Sequence, residues 1–152
     1  MTLEAQARLS VEARLENLKL IRDFVEAQAN AAGFDDAKSY DLVLAVDEAA
    51  TNIIMHGYGA DNSAADSVVE ALAQRAATAL SITLRDRARP FDPTAMPIMD
   101  ELPPLVDRLP GGLGIFLIRK TMDGINYRRT ADGWNELTLV LARPADLKKK
   151  EE

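Results

Sequence analysis

The stretch DEAATNIIMHGY, residues 47–58, ends an apolar segment that has the periodicity of a helix. Glu48 and Asn52 stand four residues apart in it, and side chains at that spacing lie on one face of a helix. Gly57 follows where such a helix is expected to stop. A carboxylate that accepts a proton, beside an amide oxygen that binds a hard metal ion, would form half of a phosphoryl-transfer site. Alone, such a pair is more often a solvated helix edge, so the rest of the chain must distinguish the two.

The composition restricts the classes of protein and of site. The chain has 152 residues, enough for one domain with a hydrophobic core, and it has no cysteine. Disulfides, thiolate zinc sites and cysteine nucleophiles are therefore excluded, and a single histidine excludes a multi-histidine metal site. A formal net charge of −6 argues against a nucleic-acid partner, because phosphate binding needs a basic patch. With no apolar run of membrane-spanning length and no signal-peptide pattern, we expect a soluble, cytoplasmic domain.

The part of the chain before residue 57 is expected to form a short strand and two helices. Residues 2–9 alternate weakly between apolar and polar, which is typical of a strand. Ser10 is expected to cap a helix over about residues 11–32, and Gly33 is expected to end it. A second helix is expected over about residues 35–56, with the carboxylate and the amide at the border of its apolar face, as the wall of a cleft requires.

The part after residue 57 is expected to form most of a sheet, a long irregular segment and one further helix. Most prolines fall in the irregular segment, and long loops of this kind are usually functional lids or disordered. We expect a single domain over residues 1–142 and a polar tail over residues 143–152. In order, the elements are a loop over 57–66, a hairpin of strands over 67–74 and 78–86, the irregular segment over 88–113, a helix over 115–122, and strands over 125–130 and 134–141 joined by a tight turn.

A glycine-rich segment, PGGLGIFLIRK over residues 110–120, leads into the last helix. Glycines let the backbone approach a ligand closely, and a helix N-terminus attracts an anion through its free N–H groups and its dipole. The segment is therefore a candidate phosphate cradle, although a flexible loop at a helix start has the same composition. It is not a Walker A loop, because no GK[ST] follows, and it is not a dinucleotide fingerprint, because no tightly spaced βαβ unit surrounds it.

A third segment, DRARPFDP over residues 86–93, lies where a predicted strand gives way to the irregular segment. An aspartate at a strand end accepts a hydrogen bond from an exocyclic amine such as that of adenine, which makes Asp86 a candidate base contact. Asp92 is as readily a turn residue that caps local N–H groups.

Together these three segments resemble the GHKL ATPase superfamily and, within it, the anti-sigma factor serine/threonine-protein kinases. The family pattern E-x-x-x-N followed by H-G-Y is matched by Glu48, Asn52 and residues 56–58. The pattern D-x-G-x-P-F-D-P is matched over residues 86–93 at all but one position, and G-G-L-G-I-F-L-I is matched throughout over residues 111–118. The order and the spacing of the three boxes also agree with the family.

The resemblance implies a role for each matched residue. Glu48 would be the general base that takes the proton of a serine or threonine hydroxyl, Asn52 would ligate Mg²⁺ at the phosphates, and Asp86 would read the adenine amine. Ala88 stands where the family has a glycine close to the adenine ring, so its methyl group bears on ATP binding and on catalysis. The other nucleotide contacts implied by the resemblance are Gly111, Gly112, Leu113 and Gly114 at the phosphates, under a lid over about 94–113, and Thr138 through water at the adenine.

The fold that the resemblance implies is a Bergerat-type α/β (α+β) two-layer sandwich, with helices on one face of a mixed, mostly antiparallel sheet. The implied function is an ATP- and Mg²⁺-dependent serine/threonine protein kinase that phosphorylates an anti-sigma factor antagonist and sequesters a sigma factor, without direct contact to nucleic acid or membrane. A homodimer is left open.

The first alternative is a nucleotide- or protein-binding regulatory module without catalysis, which Ala88 favours. The second is a detached ATP-binding domain related to histidine kinases, which the absence of a dimerisation helix pair disfavours.

Overall fold

The computed structural model describes residues 3–59, 67–90, 92 and 112–144. A short 3₁₀ turn, Leu15–Asn17, precedes the first helix, and a π-helical turn, Ile53–Tyr58, continues the second. The strands and helices are, in chain order, β1 (Leu3–Glu12), α1 (Leu18–Ala31), α2 (Asp36–Asn52), β2 (Val68–Ala76), β3 (Ala79–Asp86), α3 (Gly112–Thr121), β4 (Gly124–Arg129) and β5 (Asn135–Ala142).

A five-stranded sheet in the order β1-β2-β3-β5-β4 forms one layer, and the helices pack on one face of it. Every described strand pair is antiparallel. The expected α/β two-layer sandwich is thus confirmed, whereas the parallel pairing of a mixed sheet is not found among the described strands. The core between the layers contains Leu80, Ile82 and Leu84 of β3, Leu139 and Leu141 of β5, Ile21 and Val25 of α1, and Leu42 and Val46 of α2, all of them fully or almost fully buried. Shortening one of the leucines or isoleucines to alanine is expected to cost about 2–5 kcal/mol.

The first strand is present, but it is longer than predicted and the first helix starts later. Ser10 does not cap a helix, because it lies inside β1 opposite Glu70 of β2. The strand continues to Glu12 because its pairing with β2 continues, with Val11 buried on the core side. The α-helix begins only at Leu18. Pairing between strands has therefore overridden a local capping signal.

The second helix begins where the sequence predicts. The Asp35 carboxylate accepts a hydrogen bond from the backbone N–H of Lys38 at 2.8 Å, which satisfies one of the free donors at the start of α2. Gly33, just before it, has a φ of 87°, a conformation that glycine adopts without strain. The short connection between the two helices is thus fixed by a left-handed glycine and an aspartate cap.

The end of α2 differs from the prediction. The α-helix stops at Asn52 and a π-helical turn runs on to Tyr58, so the predicted helix end at His56 is wrong. The hydroxyl of Tyr58 donates to the carbonyl of Val68 at 2.8 Å and accepts from the N–H of Arg87 at 2.7 Å. The π-helical turn is therefore tied to the start of β2 and to the chain just after β3.

Two further differences concern the C-terminal half. α3 begins at Gly112 rather than at residue 115, so its glycines belong to the helix and do not merely lead into it. Arg143, which the sequence assigns to the polar tail, is anchored. Its guanidinium donates to the carbonyls of Ala32 and Ala76 at 2.9 Å and to the Glu4 carboxylate at 2.8 Å.

Several predictions concern residues outside the described part of the chain. They are the loop residues 60–66, residues 91 and 93 of the third segment, the lid residues 94–111 with Gly111 among them, and the tail residues 145–152. None of the helices in the described ranges is long and apolar enough to cross a membrane.

Candidate functional site

A cavity of about 480 Å³, counted to its open mouth, lies between α2, α3 and the sheet. Its apolar lining comes from Ile53, Ile115, Ile118 and Leu137 among others, and its polar lining comes from Asn52, Asp86, Arg89, Tyr127 and Asn135. An apolar slot with a few polar groups at fixed positions suits a flat ligand with a small number of hydrogen-bonding groups.

Asp86, the predicted base contact, lies on the wall of this cavity and is only 4 % exposed. Its Oδ1 accepts two hydrogen bonds, from the N–H of Ala88 and from Nδ2 of Asn135, both at 2.9 Å. Within the described residues its Oδ2 accepts none, so that oxygen is left for a ligand. Burial raises the pKa of the Asp86 carboxyl, while the two hydrogen bonds and the nearby Arg129 charge oppose the rise.

Asn135, which the sequence analysis did not identify, is the partner that holds Asp86. It is 4 % exposed and opens β5 directly opposite Asp86 on β3. Its Nδ2 also donates to the carbonyl of Ala88 at 2.9 Å, and its Oδ1 accepts from the Tyr127 hydroxyl at 2.6 Å and from Arg129 at 3.0 Å. In the sequence Asn135 falls inside the strand predicted over residues 134–141, and nothing nearby in the chain indicates its partner. Only the strand register brings it to Asp86.

Ala88, the departure from the family pattern, lies beside the cavity with its methyl group against Gly57. A Cβ atom placed on Gly57 would come within 2.9 Å of the Ala88 Cβ, closer than such atoms approach in proteins. The extra methyl group of Ala88 is therefore accommodated by the glycine of the π-helical turn. Both residues are positioned by the ties that Tyr58 makes to β2 and to Arg87.

Glu48 and Asn52 lie one helical turn apart on α2, as predicted, but in different surroundings. Asn52 lines the cavity. Glu48 lies where α2 faces α3, against the backbone of Gly114: a Cβ atom on Gly114 would be 2.7 Å from Glu48 Oε2. A side chain at position 114 would therefore displace the Glu48 carboxylate, which is the flexible end of that side chain, and would also lie 3.2 Å from the Glu48 Cβ. The structure therefore brings the glycine-rich segment to the helix that carries Glu48.

The sequence prediction for Thr138 is contradicted by its position. The inward side chains of β5 are those of residues 135, 137, 139 and 141, and Thr138 points to the opposite face of the sheet. There its hydroxyl lies 2.9 Å from the hydroxyl of Thr83, its partner on β3. Thr138 therefore does not contact a ligand in the cavity.

The structure describes only some of the residues that are predicted to contact phosphates. α3 begins at Gly112, so Gly112 and Leu113 form its first turn, and a helix N-terminus offers free N–H groups to an anion. Gly114 lies at Glu48, as described above. Contacts of Gly111, Gly112, Leu113 and Gly114 with phosphates stay predictions.

Arg89 is a second residue that the sequence analysis did not identify. It lines the cavity and donates a hydrogen bond to the backbone carbonyl of His56 at 3.1 Å. His56 itself is exposed, in the last turn of the π-helical segment. The guanidinium places a positive charge on the cavity wall of a chain whose net charge is −6, which favours an anionic ligand.

The described residues contain no group of three or more histidine, aspartate and glutamate side chains that would hold a metal ion by themselves. This is compatible with Mg²⁺, which usually keeps several waters and takes one or two protein ligands together with phosphate oxygens. The Asn52 amide oxygen, on the cavity wall one turn from Glu48, has the chemistry of such a ligand.

Comparison with known proteins gives one family. The family model described as the histidine kinase-like ATPase domain matches residues 11–141. Serine/threonine-protein kinase BtrW of Bordetella bronchiseptica is 33% identical over 101 residues, which cover 66% of this chain and 68% of that protein. Serine-protein kinase RsbW of Halalkalibacterium halodurans is 29% identical over 140 residues, which cover 89% of this chain and 83% of that protein.

A solved structure supports the fold. The crystal structure of the RsbU and RsbW domains of Rv1364c from Mycobacterium tuberculosis matches 93% of this chain with a TM-score of 0.63 and 18% sequence identity. At that identity the likeness concerns the fold alone. The match covers 34% of the longer chain, about a third of its length.

Proposed function

The chain belongs to the histidine kinase-like ATPase domain family, and on that premise we propose that it is an ATP-dependent serine/threonine protein kinase. The observation that carries the proposal is the arrangement of two groups on one cavity. Asp86 lies buried on its wall with one carboxylate oxygen left for a ligand, and Asn52 lines it one turn from Glu48. The similarity to two protein kinases supports the reaction class.

Glu48 is the proposed general base. Its carboxylate takes the proton from a serine or threonine hydroxyl of the acceptor protein while the hydroxyl oxygen bonds to the γ-phosphorus of ATP. The bond from that phosphorus to the β–γ bridging oxygen breaks, and ADP leaves with the electron pair. The position of Glu48 against Gly114 limits where its carboxylate can lie, which supports a role that depends on orientation.

Asn52 would hold Mg²⁺, which neutralises charge on the phosphates when it is bound. Asp86 would accept a hydrogen bond from the adenine amine through Oδ2, and the N-terminal turn of α3 would face the phosphates. Arg89 adds positive charge on the cavity wall. These roles place base recognition on the sheet and phosphate chemistry on the helices.

The proposed partners follow from the resemblance of the three sequence boxes to anti-sigma factor kinases. The phospho-acceptor would be an anti-sigma factor antagonist, and the second partner would be a sigma factor that this chain sequesters in the cytoplasm. The proposal includes a homodimer of this chain. Light scattering measures the oligomeric state and tests this part first. Copurification of this chain with an antagonist domain and a sigma factor encoded beside it tests both partners.

The alternative, a binding module without catalysis, was favoured by Ala88. Its methyl group lies against Gly57 and does not fill the cavity, which supports retained nucleotide binding.

Mass spectrometry after incubation with ATP, Mg²⁺ and the antagonist should detect phosphoserine or phosphothreonine for the unmodified chain. Glu48→Gln should bind ATP without transferring phosphate, and Thr138→Val, on the opposite face of the sheet, should behave as the unmodified chain.

Two outcomes would decide against the kinase. If calorimetry detects no ATP binding, only a protein-interaction role is left. If ATP binds but no acceptor is phosphorylated, the binding module is the better description. Phosphorylation that persists in Glu48→Gln would show that another group accepts the proton.

A further inference from the structure

We propose that Asn135 is a positioning residue for base recognition, which holds Asp86 so that only one carboxylate oxygen faces the ligand. The site would thereby select a purine nucleotide with an exocyclic amine over one with a carbonyl at the same ring position. The proposal rests on nucleotide binding at this cavity, and it concerns a residue that none of the three sequence boxes contains.

The hydrogen-bonding capacity of the Asn135 side chain is fully used within the protein. A carboxamide has two N–H donors and one oxygen that accepts two hydrogen bonds. The two donors go to Asp86 Oδ1 and to the Ala88 carbonyl, and the oxygen accepts from Tyr127 and Arg129. The amide therefore has nothing left for a ligand, and its effect on a ligand must pass through Asp86.

The same contacts fix which way round the amide lies. Turning it over would place its NH₂ group against the Arg129 guanidinium, which only donates, and its oxygen against Asp86 Oδ1 and the Ala88 carbonyl, which only accept. Three of the four hydrogen bonds would be lost together, because only the Tyr127 hydroxyl can also accept. The donor face of Asn135 is thus held toward Asp86 by residues of the neighbouring strand β4.

The Asp86 carboxylate is fixed in turn. Its Oδ1 receives both the Asn135 amide and the Ala88 N–H at 2.9 Å, so rotation of the carboxylate would break two hydrogen bonds at once. Oδ2 then stays on the cavity side. An ionised carboxylate is only an acceptor, so it accepts from an amine and is repelled by a carbonyl oxygen at the same place.

Burial favours the neutral form of the Asp86 carboxyl, whereas the hydrogen bond from Asn135 favours the ionised form. Burial raises the pKa of Asp86, and the hydrogen bond from Asn135 is the largest of the contributions that lower it. Three adjacent strands contribute to the arrangement, with Asp86 on β3, Asn135 on β5 and the two supporting side chains on β4. Asp86, Asn135 and the two supporting side chains therefore lie on strands of the sheet and not on a loop.

The test compares ATP with inosine triphosphate, which has a carbonyl in place of the adenine amine. Calorimetry with Mg²⁺ would give both dissociation constants for the unmodified chain, for Asn135→Leu and for Asn135→Asp. Asn135→Leu removes all four hydrogen bonds at similar volume, and Asn135→Asp keeps the shape but removes the donors. Asn126→Ala is the matched control, because Asn126 is exposed on β4 and does not line the cavity.

We expect the unmodified chain and Asn126→Ala to prefer ATP by about 10–100-fold, the range of a hydrogen bond to a charged group. In both Asn135 variants the preference should fall to about threefold or less, through weaker ATP binding and not weaker inosine triphosphate binding. Thermal unfolding followed by circular dichroism establishes that each variant is folded. Should Asn135→Leu fail to fold, the shape-preserving Asn135→Asp carries the comparison.

Three results would overturn the inference. If the Asn135 variants keep the ATP preference, Asp86 does not need Asn135, and the proposed kinase function is unaffected. Equal losses for both nucleotides would show a merely structural role. Absence of ATP binding by the folded, unmodified chain would overturn this inference and the proposed function together.

Discussion

The backbone of Gly114 lies so close to the carboxylate of Glu48 that a methyl group on residue 114 would be 2.7 Å from Glu48 Oε2. This contact joins α3 to α2 at the proposed base. The carboxylate has to move if residue 114 gains a side chain. Asp86 lies on the wall of the cavity, which neither Glu48 nor Gly114 lines. We therefore expect a change at residue 114 to affect the proposed phosphate transfer more than the proposed nucleotide binding at Asp86.

Gly114→Ala should reduce phosphate transfer far more than it reduces ATP binding. A displacement of about 1 Å at a catalytic group can lower the rate by about a hundredfold. We expect kcat to fall by about that factor while the dissociation constant of ATP stays within about threefold. Alanine also raises helix propensity, so the variant should not be less stable for that reason. An unchanged kcat would show that the position of Glu48 does not limit the reaction.

Gly57→Ala should destabilise the protein, and Ala88→Gly should relieve that effect. The added methyl group would lie 2.9 Å from the Ala88 Cβ, and overpacking of this kind typically costs about 1–3 kcal/mol. Gly57 is not among the residues with positive φ, so the cost comes from the contact and not from the backbone. Urea denaturation of both single variants and of the double variant gives the coupling energy. Additive effects would mean that the two residues do not share this space.

ATP affinity should fall on acidification, beginning at a higher pH than for an ordinary aspartate. Burial raises the pKa of Asp86 above its usual 3.8, and the protonated carboxyl is a poorer acceptor for the adenine amine. Calorimetry over a pH series measures this. Asp86→Asn is the control, since its weak residual binding should not depend on pH in that window.

The same pKa shift determines how Asp86 affects stability. Because the pKa is raised in the folded state, the folded protein binds more protons than the unfolded chain between the two pKa values. The contribution of Asp86 is therefore fully present below the unfolded pKa and is lost as the pH rises through the folded pKa. Asp86→Asn should accordingly raise the free energy of unfolding at neutral pH, which urea denaturation measures. A decrease would show that the ionised group is well compensated in the folded state.

Arg143→Ala should be clearly destabilising although the sequence places this residue in a tail. Its side chain is only 8 % exposed and donates to two backbone carbonyls and to Glu4. Leaving buried acceptors unpaired costs about 1–3 kcal/mol. Arg14→Ala is the matched control, because the Arg14 side chain is 52% exposed and its ion pair is expected to contribute little. Equal free energies of unfolding for the two variants would contradict the anchoring role.

The sequence predicted the family, the layers of the fold and the helix that carries Glu48 and Asn52. These features depend on short patterns whose members are close in the chain, and the resemblance to anti-sigma factor kinases of the GHKL superfamily is confirmed. The start of α1 was missed because β1 extends by pairing with β2, and no local signal reports a partner about 60 residues away.

The part of the candidate site around Asp86 was predicted only in part. Asp86 was identified from its motif, but its partner Asn135 lies 49 residues later in the chain and reaches it only through strand register. Thr138 was placed on the wrong face because side chains alternate along a strand, so the parity of a position decides which layer it faces. Register across β3 and β5 is a tertiary property, and it determines which side chains meet at the cavity.

The π-helical turn at the end of α2 makes the number of residues between Asn52 and Gly57 critical. In an α-helix a residue five positions further on lies about 140° around the axis, whereas the wider turn brings Gly57 back to the cavity that Asn52 lines. One residue more or fewer would rotate everything that follows by about 100°. Gly57 would then leave Ala88, and Tyr58 would lose its ties to β2 and Arg87. Alignments of related sequences should therefore show no insertion or deletion between these two positions, even where neighbouring loops vary in length.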